Sequence, residues 1–181
     1  QNFDFTQATL NNKAANLPEI AAIHSLIIKA NNARDLRIAA ETELSDVKRE
    51  LLRAEGDVEQ IVTRINRDET RLASGTGAPK ELEQLQHELG SLAARRSELE
   101  EIELEIMMRI DVIKERITEQ SDQESALAAE ITELEIKKAN EMAVISSELE
   151  AITVERASVI ASTNPELVAL YEKIRASNNG T

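Results

Sequence analysis

The feature that most constrains this chain is a pair of apolar seams that mirror each other across one break marked by glycine and proline. The first runs from Ala40 through Leu44, Val47, Leu51, Ala54, Val58, Ile61, Ile65 and Leu72, interrupted by Asp68. The second runs through Leu82, Leu85, Leu89, Leu92, Leu99, Ile102, Ile106, Ile110, Ile113 and Ile117, and resumes at Leu127, Ile131, Leu134, Ile145, Leu149 and Ile152. Spacings that alternate between three and four residues hold an apolar stripe on one side of a helix, which is what a coiled-coil seam requires. Between the seams lies Ser74-Gly75-Thr76-Gly77-Ala78-Pro79, where the glycines release one helix and the proline suits the first turn of the next.

If the chain folds back at 74–79, equal helical rise makes the position numbers of facing residues sum to about 153 or 154. The pairs Leu72/Leu82, Ile65/Leu89, Ile61/Leu92, Val47/Ile106, Leu44/Ile110, Leu26/Leu127 and Phe5/Leu149 all follow that rule. A parallel dimer of one continuous helix has no need of such a relation, so the spacing predicts an all-α fold, a long antiparallel two-helix coiled-coil hairpin formed within the chain.

Composition supports long helices over a layered globule. Aromatics make up 2% of the 181 residues and charged side chains 30%, and only 5 Gly and 3 Pro punctuate the sequence. A core several layers deep draws on large aromatic side chains, whereas a two-helix seam needs only aliphatic ones. No apolar run reaches the roughly 20 residues that span a bilayer, which predicts no membrane segment and a cytoplasmic location. A net charge of −13 disfavours phosphate-backbone binding, so nucleic acid is not an expected partner of this chain by itself.

Local signals refine the hairpin. Pro18, after Leu17, predicts a kink or restart of the first arm with Asn16 as its N-cap. Asn31, Asn32, Arg34 and Asp35 fall opposite Gln120, Asp122 and Gln123, which predicts polar facing polar and a locally loosened stretch. Asn164-Pro165-Glu166 reads as cap, first-turn proline and first-turn acid of a short helix reaching about Ala176. The expected organisation is a hairpin over 1–162 with its tip at 74–79, then a short helix and flexible linker over 163–181. Gln1 opens inside apolar periodicity, with Phe3, Phe5 and Leu10, and reads as part of a longer protein.

Candidate chemistry is sparse. His87-Glu88 lacks the second His that a helical zinc site needs, and His24 lies about 60 Å away by helix rise, so both read as surface or seam-edge histidines. With no Cys, thiolate ligation is excluded and no metal site is expected. The tip run from Gly75 to Lys80 lacks phosphate-loop spacing and a preceding strand. Glu98, Glu100, Glu101, Glu103 and Glu105 read as solvated charges, with Glu105 spaced to pair with Arg109, because a two-helix rod offers no desolvated cleft to tune an acid/base pair. Arg96 interrupts the second seam opposite Asp57 and Val58 and reads as a seam-edge ion pair that fixes register. No catalytic residue is assigned.

Two segments carry a resemblance. Ala78-Pro79-Lys80-Glu81-Leu82-Glu83-Gln84-Leu85-Gln86-His87-Glu88-Leu89, after its glycine-containing turn, and Leu170-Tyr171-Glu172-Lys173-Ile174-Arg175 are similar to the hallmarks of a bacterial C4-type zinc-ribbon family with an N-terminal coiled-coil hairpin, in its actinobacterial form. The resemblance implies that the first segment sits at the hairpin tip and that the second precedes a four-cysteine zinc ribbon. That ribbon has no residues in this chain, so zinc is expected only of a full-length protein. The resemblance further implies a non-enzymatic adaptor that binds protein partners, with Lys80, Glu83, Gln84 and His87 as candidate contacts. Two alternatives stay open, a nucleic-acid-binding regulator acting through the ribbon and a structural coiled coil that self-associates through Ile27, Ile28, Ile38 and Met107.

Overall fold

The computed structural model describes residues 2–177, and these form four helices with no strand among them: α1 (Asn2–Ala15), α2 (Pro18–Ala73), α3 (Pro79–Ala161) and α4 (Pro165–Ser177). The fold is the expected all-α coiled-coil hairpin with a short C-terminal helix. Its contacts divide into two compact units, one comprising Asn32–Glu124 and the other the described residues on either side of that span. Both division points fall inside the stretch where the sequence places polar residues on both arms.

In the 32–124 unit, α2 and α3 form the antiparallel pair. Ala40, Val47 and Ala54 are buried together with Ile106, Ile110 and Ile113, and Leu44, Leu51 and Ile117 pack against them. Carried on by heptads, the register of this cluster sets buried or half-buried positions opposite one another at 33/120, 40/113, 47/106, 54/99, 61/92 and 68/85, each pair summing to 153. Burying a large aliphatic side chain from water is worth about 1.5–3 kcal/mol, so these layers supply the main stabilising term of the unit.

The turn follows from its residues. Gly75 adopts φ 65°, a left-handed conformation that costs glycine nothing, and its amide donates to the Leu72 carbonyl at 3.1 Å to close α2. Ala78 precedes the first-turn Pro79, and its amide donates to Glu81 Oε2 at 3.3 Å, half of a capping box.

Several expected pairings change. Asp68 does not interrupt the seam but lies buried within it, 3.2 Å from Arg67 Nε and 3.9 Å from Arg64 Nε. Ile102 is 44% exposed, and half-buried Glu103 occupies the seam position instead, because 99, 103 and 106 keep the alternating spacing. Arg109 pairs across the hairpin with Glu50 at 3.0 Å, not along its own helix with Glu105. Arg96 bonds Glu100 at 2.6 Å along its own helix, so it is not the cross-seam pair with Asp57.

The polar stretch also differs from expectation. Helix α2 is unbroken there, Asn31, Asn32, Arg34 and Asp35 are exposed, and Ala33, 3% exposed, takes the inward position in the 32–124 unit. The layer is thin but not polar on both sides: Ala33 stands against Gln120, whose buried Oε1 has no hydrogen-bond partner. Arg37 then reaches Glu124 at 3.0 Å and Glu41 at 2.7 Å, which holds its guanidinium pKa above the ordinary value.

The other unit joins α1, the start of α2, the end of α3 and α4. Leu10, Leu17 and Ile145 are buried together, with Ala14, Leu149 and Ile152 against them. Pro18 does break the first arm, as expected, but Asn16 is not the cap of α2. Its amide bonds back to the carbonyls of Asn12 and Lys13, and its side chain to Asn12 O at 2.9 Å, so it closes α1. Leu17 stands in the cap position, its carbonyl accepting from Ile20 at 3.0 Å. Phe5 is 66% exposed and does not pair with Leu149, because Asp4 takes the inward position beside it. Asn164 caps α4 as expected, Oδ1 accepting from Glu166 N at 2.9 Å.

Candidate functional site

Two places gather functional groups, one in each compact unit. In the unit containing the chain's outer helices, Asp4 on α1 is buried in a position that periodicity would assign to an apolar residue. The Tyr171 hydroxyl donates to Asp4 Oδ2 at 2.6 Å, and Oδ1 accepts from Arg156 Nε at 3.0 Å and lies 3.2 Å from a terminal nitrogen of Arg175. Arg156 also bonds Glu172, and Glu172 lies 3.4 Å from Arg175. Tyr171 and Arg175 sit one turn apart on α4, so one face of that helix delivers both to the same carboxylate.

Burial alone would raise the Asp4 pKa. The hydrogen bond from Tyr171 and the attraction of Arg156 and Arg175 outweigh it, so the carboxyl is held below its usual range. Tyr171 moves the other way: bonding to an anion, with burial added, keeps its proton on to higher pH. The Arg156 pKa is raised chiefly by its bond to Glu172, against the opposing effect of burial. The result is a charge-assisted clamp whose acceptor oxygens are already engaged, and which ties α4 to α1 and α3. Beside it opens a cavity of about 160 Å³ walled mainly by Phe3, Val159, Ile160, Leu167 and Val168.

The other place is the tip. Lys80, Glu83, Gln84 and His87 are all exposed, and their spacing puts them in one stripe of α3 directly opposite Leu82, Leu85 and Leu89. None of the four side chains makes a hydrogen bond or ion pair among the described residues. Gln84 also edges a shallow recess with Arg71, Thr76 and Glu81, which does not include the other three.

No group of three or more His, Cys, Asp or Glu among the described residues could hold a metal ion, and both histidines are exposed. Nor is any described helix long and apolar enough to cross a membrane. Sequence reasoning missed Asp4 and Arg156. Their signal was present in an acidic residue at a seam position of α1, but nothing in sequence alone says that α4 returns to meet it. The segment Leu170–Arg175, read first as a hallmark, has a physical reason in this clamp.

The chain matches the CT398-like coiled coil hairpin domain over residues 1–179. It is 33% identical over 168 residues to an uncharacterized protein of Mycobacterium tuberculosis, covering 91% of this chain and 67% of that protein. It is 28% identical over 106 residues to an uncharacterized protein of Mycobacterium leprae, covering 59% of this chain and 46% of that one. A solved structure from Mycobacterium smegmatis superposes with a TM-score of 0.81 at 24% identity, covering 97% of this chain and 72% of the other, a likeness of fold. With the match running along nearly the whole of this chain, it belongs to the CT398-like coiled coil hairpin family.

Proposed function

We propose that this chain is a non-enzymatic adaptor of the cytoplasm, the coiled-coil part of a protein that binds protein partners, with first contact at the tip through Lys80, Glu83, Gln84 and His87. The observation that carries the proposal is the unengaged polar stripe at 80–87. Four side chains of mixed charge stand free on a rigid helix beside a turn, while the arms behind them commit many of their charges to internal ion pairs. Exposed groups on a rigid scaffold are a common form of recognition surface. The buried carboxylate at Asp4 sits in a clamp with its oxygens occupied, which supports a structural part for it over an acid/base part.

The test replaces Lys80, Gln84 and His87 with Ala and compares partner capture by the variant and the parent chain, with helical content checked by circular dichroism. Loss of a protein partner is the expected result. Retention of every partner would remove the tip from the proposal. Salt-sensitive RNA or DNA binding by this chain would contradict the electrostatic argument and favour the nucleic-acid regulator.

A further inference from the structure

The outer face of α3 in the 32–124 unit carries an apolar ridge unrelated to the seam. Leu104, Met108 and Val112 recur every four residues and are 59%, 70% and 64% exposed. That spacing stacks them on one side of the helix, turned away from Ile106, Ile110 and Ile113. Scattered exposed apolar residues need no explanation, but three large ones in register form a continuous strip. A recess of about 270 Å³ opens beside it, walled by Met108, Val112 and Ile113 and by Arg109, Arg116 and Glu43, whose arginines are engaged in ion pairs.

The charge around the ridge is one-sided. Glu101, Glu115 and Glu119 lie at its two ends and Glu105 along one side, and none of the four makes an ion pair among the described residues. The nearby cations are occupied: Arg109 by Glu50, Arg116 by Glu43 and Lys114 by Asp111. A surface of this kind repels nucleic acid and anionic lipid. It also repels a second copy of itself, which would bring carboxylates against carboxylates in a chain already carrying −13. Its complement is a helix with an apolar stripe at matching spacing and Lys or Arg on both shoulders, laid along the ridge with one side chain in the recess. Methionine at the centre suits such a contact, since its flexible thioether adapts to the side chain it meets.

We propose that this outer face of α3 is a docking surface for a basic amphipathic helix of a partner protein. It is a second surface, independent of the tip contact proposed above.

The probe is a synthetic amphipathic helix of about 20 residues, long enough to be helical, with a leucine stripe flanked by lysines. One control peptide carries Glu in place of Lys, and another scrambles the same composition. Binding is followed by fluorescence anisotropy of the labelled peptide against the full chain. Saturable binding of the lysine peptide is expected, weakened tenfold or more by Met108→Asp and separately by the triple change Glu101→Lys, Glu105→Lys and Glu115→Lys. The triple variant should in turn prefer the glutamate peptide. All substituted positions are exposed, and helical content by circular dichroism checks that the fold is kept. Ala at Lys80, Gln84 and His87 should leave this binding unchanged, which separates it from the tip. Failure of the lysine peptide to bind, equal binding of the scrambled peptide, or indifference to Met108→Asp would each overturn the proposal. So would sedimentation showing self-association that Met108→Asp abolishes, since the occupant would then be a second copy.

Discussion

Replacing Asp4 with Asn removes the charge at the centre of the clamp while keeping its shape, and the chain contains a built-in reporter of the outcome. Tyr171 is the only tyrosine and there is no tryptophan, so phenolic absorbance and the tyrosine band of near-ultraviolet dichroism report on this place alone. With Asp4 ionised, the phenol's proton is held by a bond to an anion; in Asp4→Asn the ultraviolet titration of Tyr171 should fall back toward the ordinary value of about 10. The energetic consequence is local. Breaking a buried pair by removing one partner costs about 3–5 kcal/mol, but Arg156 keeps Glu172, so a loss near 2–3 kcal/mol is expected. At 1.4 kcal/mol per tenfold, that multiplies the population of undocked α4 by about 30–150. A helix of 13 residues is marginal without its partners, so its amides should exchange faster by a similar factor while those of 32–124 do not change. Hydrogen exchange read by mass spectrometry gives both regions in one experiment. An unmoved phenol titration, or exchange at 165–177 accelerated less than threefold, would refute the clamp.

The same cluster fixes the sign of a pH effect: the Asp4 pKa is lowered by folding, so its contribution is complete above the unfolded carboxylate value of about 3.9 and fades as pH falls through the lower folded one, where α4 exchange should quicken. Asp68→Leu should stabilise the tip half by about 1–2 kcal/mol in urea unfolding, because it replaces a buried charge having one oxygen without a hydrogen bond by a side chain the seam prefers. Ile145→Ala, at a fully buried position, should cost about 2–4 kcal/mol, while Met108→Ala on the outer ridge should stay within about 0.5 kcal/mol. Gly75→Ala meets no atom within 4 Å but must hold φ 65°, so a loss of about 1 kcal/mol is expected from the backbone alone.

The hairpin, its tip and its register were legible because periodicity and two glycines encode them directly, and the layers from 40/113 to 61/92 need nothing more than helical rise. The seam positions of Glu103 and Asp68 were harder to see, since reading only apolar residues skips polar ones that the spacing carries inward. Ion pairs were misassigned for a geometric reason. Side chains lean toward the N-terminus of their own helix, so in an antiparallel pair Arg109 meets Glu50 more than a turn away from position 44, its nominal opposite. The clamp was least legible: Asp4 and Tyr171 are joined by a chain reversal that no local pattern announces.

Three layers of the 32–124 unit have unequal halves. Where α2 offers Ala33, Ala40 and Ala54, α3 offers Gln120, Ile113 and Leu99, so small meets large. An α2 arm laid on another α2 would set alanine against alanine and forfeit several buried aliphatic groups, and α3 on α3 would crowd isoleucine against isoleucine. Each arm thus discriminates in favour of the other and against its own kind. The hairpin carries its own pairing code, written in side-chain volume.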